Sequence, residues 1–439
     1  MNSEIRNKQQ VPVEDLIVGL YVVELDRPWL ETPFLLQGFP IADGQDIEAL
    51  KRHCQFVWVD PDRSESKALR RLHRPSSGKP RSNRARADGP DVARLPPRSR
   101  REIHRDLEHA FGREPYPSPE PFRRLVRIAG GVRQRSREVV DEVFRDARLG
   151  SSLRTENARE VVRDMVSVLS ENASASLWLT NLKKRDEYTS IHCINVCVLA
   201  VAFGRHLGLE REELEMLGLG ALLHDVGKVR TPEEVLNKPG RLTPDEFDVM
   251  KAHPQDGYEM MRDTGHIPVA ALEIIRFHHE RVSGAGYPMG LRGRQISLPV
   301  LIAAVADVYD AMTSDRVYRK GMTADETLRI MFERAAVDYG QELVEEFIRC
   351  LGIYPVGSVV ELETGALGVV VSSDRDARLR PVVLMVRTPD GEPYGKRLLV
   401  NLAAVAERDE GPACTVRRVV RAEEHDVDVA RLIASEFGA

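Results

Sequence analysis

The chain has 439 residues, enough for two to four folded units at about 100–200 residues each. Hydrophobic residues make up 42% and charged residues 30%, which excludes wholesale disorder, and no apolar run reaches the ~18–20 residues of a membrane span. The net charge of -5 hides an asymmetry: between Arg63 and Arg105 fourteen basic residues face four acids, so this strap carries +10 and the remainder -15.

Residues 10–62 hold short apolar runs, Val11-Pro12-Val13, Leu20-Tyr21-Val22-Val23 and Phe56-Val57-Trp58-Val59, with a helical piece from Asp46 to His53. Turn-rich spacers separate them, and the pattern predicts a small α+β unit. The strap, 63–105, carries Pro75, Pro80, Pro90, Pro96 and Pro97 among Ser and Gly. With few large apolar side chains it cannot offset its ordering entropy, and it reads as a flexible linker. Arg-rich segments also neutralise phosphates, but no aromatic residue lies between Trp58 and Phe111 to stack on a base, so no nucleic-acid partner is expected.

Beyond the strap, apolar residues recur at helical spacing as far as Phe347, with amphipathic stretches over Glu138–Phe144 and Ala158–Leu169. Residues 106–186 are a helical lead-in. After Pro355 the period shortens, as in Ser358-Val359-Val360-Glu361-Leu362 and Gly368-Val369-Val370-Val371. Residues 354–439 therefore read as a β-rich appendage with a tail helix near 428–437. The fold class is multidomain and mainly α, a helical bundle with a small α+β unit before it and a small β unit after it. Five scattered cysteines exclude a disulfide framework and fit a reducing cytosol, and Cys193 and Cys197 are expected as half-buried helix thiols. No secretory leader is visible, so a cytoplasmic location is expected.

Histidine is the informative residue. Seven of twelve fall between His192 and His279. His192 opens an apolar helix, His224 and Asp225 follow Ala221-Leu222-Leu223, and His253 stands before Pro254. His278 and His279 close a helix, and Asp307 lies inside Ala303-Ala304-Val305-Ala306 and Val308-Tyr309. Any one of these reads as an ordinary core or surface residue. Burying carboxylates and imidazoles together costs several kcal/mol unless each is partnered. A divalent cation partners all of them, and this donor set suits Fe, Mn, Zn or Ni. Asp225 can bridge two ions through its two oxygens, and paired metals are a device for phosphodiester hydrolysis.

Residues 187–353 resemble an HD-GYP domain, a branch of the HD superfamily of metal-dependent phosphohydrolases. The resemblance rests on Leu223-His224-Asp225-Val226-Gly227-Lys228, Lys238-Pro239-Gly240-Arg241-Leu242, His278-His279-Glu280-Arg281 and Gly284-Ala285-Gly286-Tyr287-Pro288. Ala306-Asp307-Val308-Tyr309-Asp310-Ala311 and Thr313-Ser314-Asp315-Arg316-Val317-Tyr318-Arg319 follow in the same order. Residues 10–62, notably Trp29-Leu30-Glu31-Thr32-Pro33-Phe34, resemble a domain of unknown function that often precedes it.

The resemblance implies an HD-type helical bundle that hydrolyses cyclic di-GMP to linear pGpG, and leaves open whether the reaction stops there or runs to GMP. It also implies His192, His224, Asp225, His253, His278, His279 and Asp307 as ligands of two divalent ions, with Fe or Mn favoured. Lys228 and Asp225 are the implied catalytic residues, Lys228 stabilising charge on the phosphate. Gly286, Tyr287, Pro288, Arg316 and Arg319 are candidate substrate contacts. Two departures stand out. Tyr188 occupies the place where some members bind a third metal through a glutamate, so a dinuclear site is expected. Val282-Ser283-Gly284-Ala285 replaces a common Trp-Asp-Gly-Ser. The rival readings are another HD-type nucleotide hydrolase, a bundle without metal, or a catalytically weak module that binds cyclic di-GMP or docks on a diguanylate cyclase (GGDEF) domain.

Overall fold

The computed structural model describes residues 8–26, 39–41, 44–61, 63–72, 120–151, 153, 155–171, 177, 180, 188–315, 320–372, 379–406, 415–429, 431–432 and 435. The chain divides into two compact units, 1–112 and 113–439. In the first, Gln9–Pro12 (β1), Tyr21–Leu25 (β2), Phe39–Pro40 (β3) and Phe56–Val59 (β4) form an antiparallel sheet of order β1-β4-β2-β3. Val11, Val22, Val57 and Val59 are buried, as is Leu50 on helix α1, Gly44–His53. Ser66–Leu72 forms a second helix, α2, with Ala68 buried.

This helix corrects the expected linker boundary at residue 63. The Tyr21 N–H donates to Ser64 Oγ at 2.8 Å, the Glu65 N–H donates to the Gly19 carbonyl at 2.8 Å, and the Arg63 guanidinium lies 3.7 Å from the Tyr21 ring centre. Residues 63–72 are folded onto the sheet, and the charge of the segment masked the apolar face that Ala68, Leu69 and Leu72 give it. The rest of the strap and Trp29–Phe34 lie outside the described residues, as do Arg316, Arg319 and much of the expected tail helix.

In the second unit Glu120–Leu149 (α3) and Glu156–Glu171 (α4) are amphipathic and pack against each other. Tyr188–His206 (α5) is apolar on every side, and from Ile191 to Phe203 every residue is buried. A helix of that composition belongs at a core centre. It packs against α3, α4 and Arg211–Leu223 (α6). Cys193 and Cys197 on α5 are fully buried free thiols, deeper than the half-buried positions expected, because this helix has no solvent face there.

Short elements follow: a 3-10 turn at Val226–Arg230, Glu233–Leu236 (α7), Pro244–Met250 (α8), His253–Arg262 (α9) and Val269–Phe277 (α10). Thr243 caps α8, accepting from the Glu246 N–H while Glu246 accepts from the Thr243 N–H, with Pro244 in the first turn. Leu298–Thr313 (α11) packs on α5, and Ala324–Asp338 (α12) and Gln341–Leu351 (α13) complete the helices of the bundle. Val359–Leu362 (β5), Leu367–Ser372 (β6), Val382–Arg387 (β7), Pro393–Asn401 (β8) and Val416–Val420 (β9) form an antiparallel sheet of order β8-β7-β6-β5-β9. The return of β9 to the edge beside β5 closes the unit. Among the described residues no helix is long and apolar enough to cross a membrane.

Candidate metal centre

Five helices converge on one buried cluster. Helix α5 brings His192, the end of α6 brings His224 and Asp225, the start of α9 brings His253, the end of α10 brings His278 and His279, and the middle of α11 brings Asp307. Gly227 sets the tightest approach of this convergence. A Cβ built on Gly227 would collide with the His253 carbonyl oxygen and the Gly257 amide, so only glycine lets the 3-10 turn carrying Asp225 lie against α9.

The carboxylates face two sides at once. Asp225 Oδ2 is 3.4 Å from His224 Nε2 and 3.8 Å from His192 Nε2, while its Oδ1 is 3.3 Å from His253 Nε2 and 4.0 Å from His278 Nε2. Asp307 Oδ1 is 3.0 Å from His192 Nε2, and its Oδ2 is 3.9 Å from His279 Nδ1. Three overlapping donor groups result: His192, His224 and Asp307; His224, Asp225 and His278; and His253, His278 and His279.

Outer hydrogen bonds fix the rings. The Nδ1–H of His224 donates to the Ala221 carbonyl at 2.7 Å, that of His253 to the Met250 carbonyl at 2.7 Å, and that of His278 to the Ile275 carbonyl at 3.0 Å. A carbonyl only accepts, so each of these rings turns its Nε2 inward, the arrangement typical of metal-ligating histidine. His253 Nε2 and His278 Nε2 then lie 3.3 Å apart. Two neutral imidazoles with tautomers set this way point lone pairs at each other, which a shared cation relieves. His224 Nε2 and Asp225 Oδ1 are buried and accept or donate no hydrogen bond. Such atoms are costly to bury unless something binds them. The residues present therefore fit divalent cations.

Electrostatics point the same way. Burial would raise the Asp225 carboxyl, yet the charges of His224 and Lys228 hold it well below the usual range. Asp307 is depressed likewise: burial opposes its ionisation, and the hydrogen bond and charge of His192 overcome that. Burial would lower His192, but hydrogen bonds to Asp307 and Asp310 lift it to about 9. Burial, then neighbouring imidazoles, drive His278 and His279 well below their ordinary value. Two ionised carboxylates in a dry pocket demand positive charge. Lys228 answers part of it, its Nζ donating to Asp225 Oδ2 at 2.6 Å, and that contact raises the lysine although burial opposes it.

The loop from Gly284 to Pro288 closes one side. The Tyr287 ring stands 4.7 Å from the His279 ring, centre to centre, and 6.2 Å from the Phe247 ring. Gly286 passes so close to the Glu280 and Arg281 backbone that a Cβ would not fit. The structure thus brings Lys228, all seven implied ligands and the Gly286–Tyr287–Pro288 loop to one place, while Arg316 and Arg319 fall outside the described residues.

Three residues escaped the sequence reading. Asp310 Oδ2 accepts from His192 Nδ1 at 2.8 Å, and its Oδ1 accepts from Asn195 Nδ2 at 3.0 Å. Glu280 is fully buried and accepts the Met289 and Leu291 amides at 2.7 and 2.9 Å, fastening the loop. The signal for the first two was present: Asn195 and Asp310 each follow a candidate ligand by three positions, on the same helix face.

A family model described as HD domain matches residues 161–343, and one described as a domain of unknown function (DUF3391) matches residues 8–158. The chain is 35% identical over 377 residues to a Pseudomonas aeruginosa protein named cyclic di-GMP phosphodiesterase PA4108, spanning 85% of this chain and 84% of that one. It is 40% identical over 170 residues to the cyclic di-GMP phosphodiesterase response regulator RpfG of Xanthomonas campestris pv. campestris, spanning 38% of this chain and 45% of that protein. Over 158 residues it is 39% identical to 3'3'-cGAMP-specific phosphodiesterase 1 of Vibrio cholerae, spanning 36% of each.

Proposed function

From the premise that this chain belongs to the HD-GYP branch of the HD-domain metal-dependent phosphodiesterases, we propose that it hydrolyses cyclic di-GMP, opening the ring to linear pGpG. The observation that carries the reading is the pair of buried carboxylates, Asp225 and Asp307, each turned toward two sets of imidazoles, with His224 Nε2 and Asp225 Oδ1 left without a hydrogen bond. His192, His224, His253, His278, His279, Asp225 and Asp307 would hold two divalent ions, Fe or Mn by donor type. When bound, such ions supply Lewis acidity and a water acidic enough to act as nucleophile near neutral pH.

The chain's own groups do the rest. Asp310 holds the His192 ring by its Nδ1–H, so the Nε2 faces the cluster in one orientation. Lys228, kept charged by Asp225, lies where it can offset the charge that builds on the phosphate oxygens. Tyr287, stacked near His279, gives a base or sugar a flat apolar neighbour, and Glu280 keeps its loop in place. A cytoplasmic location agrees with the buried free thiols Cys193 and Cys197.

The test is incubation of manganese- or iron-loaded protein with cyclic di-GMP and, in parallel, 3'3'-cGAMP, with linear products separated by chromatography and metal counted on the same sample. Conversion of cyclic di-GMP with about two ions per chain is the expected result. Preference for 3'3'-cGAMP, which the Vibrio cholerae relative's name raises, would move the substrate. No conversion of either by metal-replete protein would overturn the reading.

A further inference from the structure

A cavity of about 280 Å³ adjoins the metal centre on the side of Lys228, and its far wall is helix α3. Arg145 and Arg148 of α3 edge it, three positions apart and so on one helix face. Both are exposed, and among the described residues neither is ion-paired. The floor is apolar, from Phe144 and Leu236. The single acid lining it, Asp141, is already engaged by the Ser190 hydroxyl and by Arg137 at 3.8 Å. Lys228 belongs to both places: it lines the cavity and donates to Asp225.

This is the chemistry of an anionic nucleotide subsite. A cyclic dinucleotide carries two phosphodiesters about a ring, and only one can be attacked at a time. The other must be held by cations that are not spent on the metal centre, and paired arginines suit a phosphate through forked hydrogen bonds. We propose that Arg145 and Arg148 bind the phosphate of the nucleotide not being cleaved, with its sugar or base over the apolar floor. The proposal rests on the cyclic-dinucleotide reading above. It also assigns a task to α3, which lies inside the stretch 8–158 matched by the domain of unknown function, outside the match to the HD domain. The substrate site would then be shared between the two sequence families.

The test compares the full-length, metal-loaded protein with its Arg145→Gln/Arg148→Gln double variant on two substrates, cyclic di-GMP and bis(p-nitrophenyl) phosphate. The second has one phosphodiester and no second nucleotide. The expected result is a KM for cyclic di-GMP raised about tenfold or more with kcat within about threefold, while turnover of the nitrophenyl diester is unchanged. Calorimetric binding of cyclic di-GMP to chelated protein weakens by a similar factor, and the Arg145→Lys/Arg148→Lys variant recovers part of the loss. An unchanged KM and binding, or equal losses on both substrates, would overturn the subsite. Wild-type protein that cleaves the nitrophenyl diester but neither binds nor cleaves cyclic di-GMP would instead overturn the substrate reading, and the subsite with it.

Discussion

In the C-terminal sheet, Glu361 of β5 is buried with Arg417 Nη1 donating to Oε1 at 3.2 Å and Arg418 Nε donating to Oε2 at 2.7 Å, whereas in the helical bundle Asp225 is buried with Oδ1 accepting nothing. Glu280 sides with Glu361, both its oxygens taken by backbone amides. These two scaffold carboxylates are saturated by the chain itself. Asp225 keeps an oxygen in reserve, and the cost of its burial is met by whatever binds there. Asp325 Oδ1 on α12 is likewise buried without a hydrogen bond, so it is the spare oxygen of Asp225 together with the imidazoles around it that marks the centre.

Breaking the reserved carboxylate should have the largest effect. Asp225→Ala removes the group shared by both imidazole sets, so activity is expected to fall by well over the about 10–100-fold that outer partners of a metal site cost. Metal content should collapse on the same sample while far-ultraviolet circular dichroism stays native, because α5, α6, α10 and α11 keep their apolar contacts. A variant retaining both metals and normal turnover would contradict the shared role. One layer out, Asp310→Asn should cost about 10–100-fold in metal affinity or turnover. The amide still accepts at one oxygen, but its NH₂ group can face His192 Nδ1–H and so weaken the ring's hold. Metal titration of the folded variant checks it, and an affinity equal to wild type would remove Asp310 from the positioning set.

Glu280→Gln tests the saturated class inside the catalytic region. One of two backbone amides, Met289 or Leu291, loses its acceptor, for a stability cost of about 1–3 kcal/mol in urea unfolding. With Tyr287 carried by the same loop, KM should rise several-fold while the metal content stays at its wild-type value. A drop in bound metal would mean that the loop, and Glu280 through it, shapes the ligand set as well.

Much of this contrast was legible in the sequence, and what was not has a physical cause. The candidate ligands were readable because histidines and aspartates stand out against apolar helices such as Leu298–Thr313. The β period after Pro355 foretold strands, since side chains alternate there, but not that β9 would return beside β5, because strand order depends on pairing across more than fifty residues. The His192–Asp310 hydrogen bond spans 118 positions and is set only by the packing of α5 on α11. Helix α2 was hidden for a different reason: its arginines and lysine dominate a seven-residue window in which Ala68 is buried and Leu69 and Leu72 are half-buried. Composition reports what a segment exposes more readily than what it buries.

The smallest effect belongs to the scaffold's own saturated carboxylate. Glu361→Gln removes the charge opposite Arg417 and Arg418 but leaves a side chain of nearly the same volume. Both arginines are more than half exposed, at 57% and 61%, so water screens the pairs and can solvate the guanidinium groups once the carboxylate is gone. Exposed pairs of this kind contribute about 0–1 kcal/mol each. The buried end is not left stranded either, since a glutamine oxygen still accepts from one arginine. The variant should therefore lose about 1 kcal/mol or less in urea unfolding, an amount that shrinks further in high salt. Metal content, kcat and KM should match wild type, because this sheet contributes none of the imidazole or carboxylate donors of the cluster. A tenfold fall in turnover from Glu361→Gln, with the protein still folded, would mean that saturation does not separate scaffold from site, and the distinction between Glu361 and Asp225 would fail.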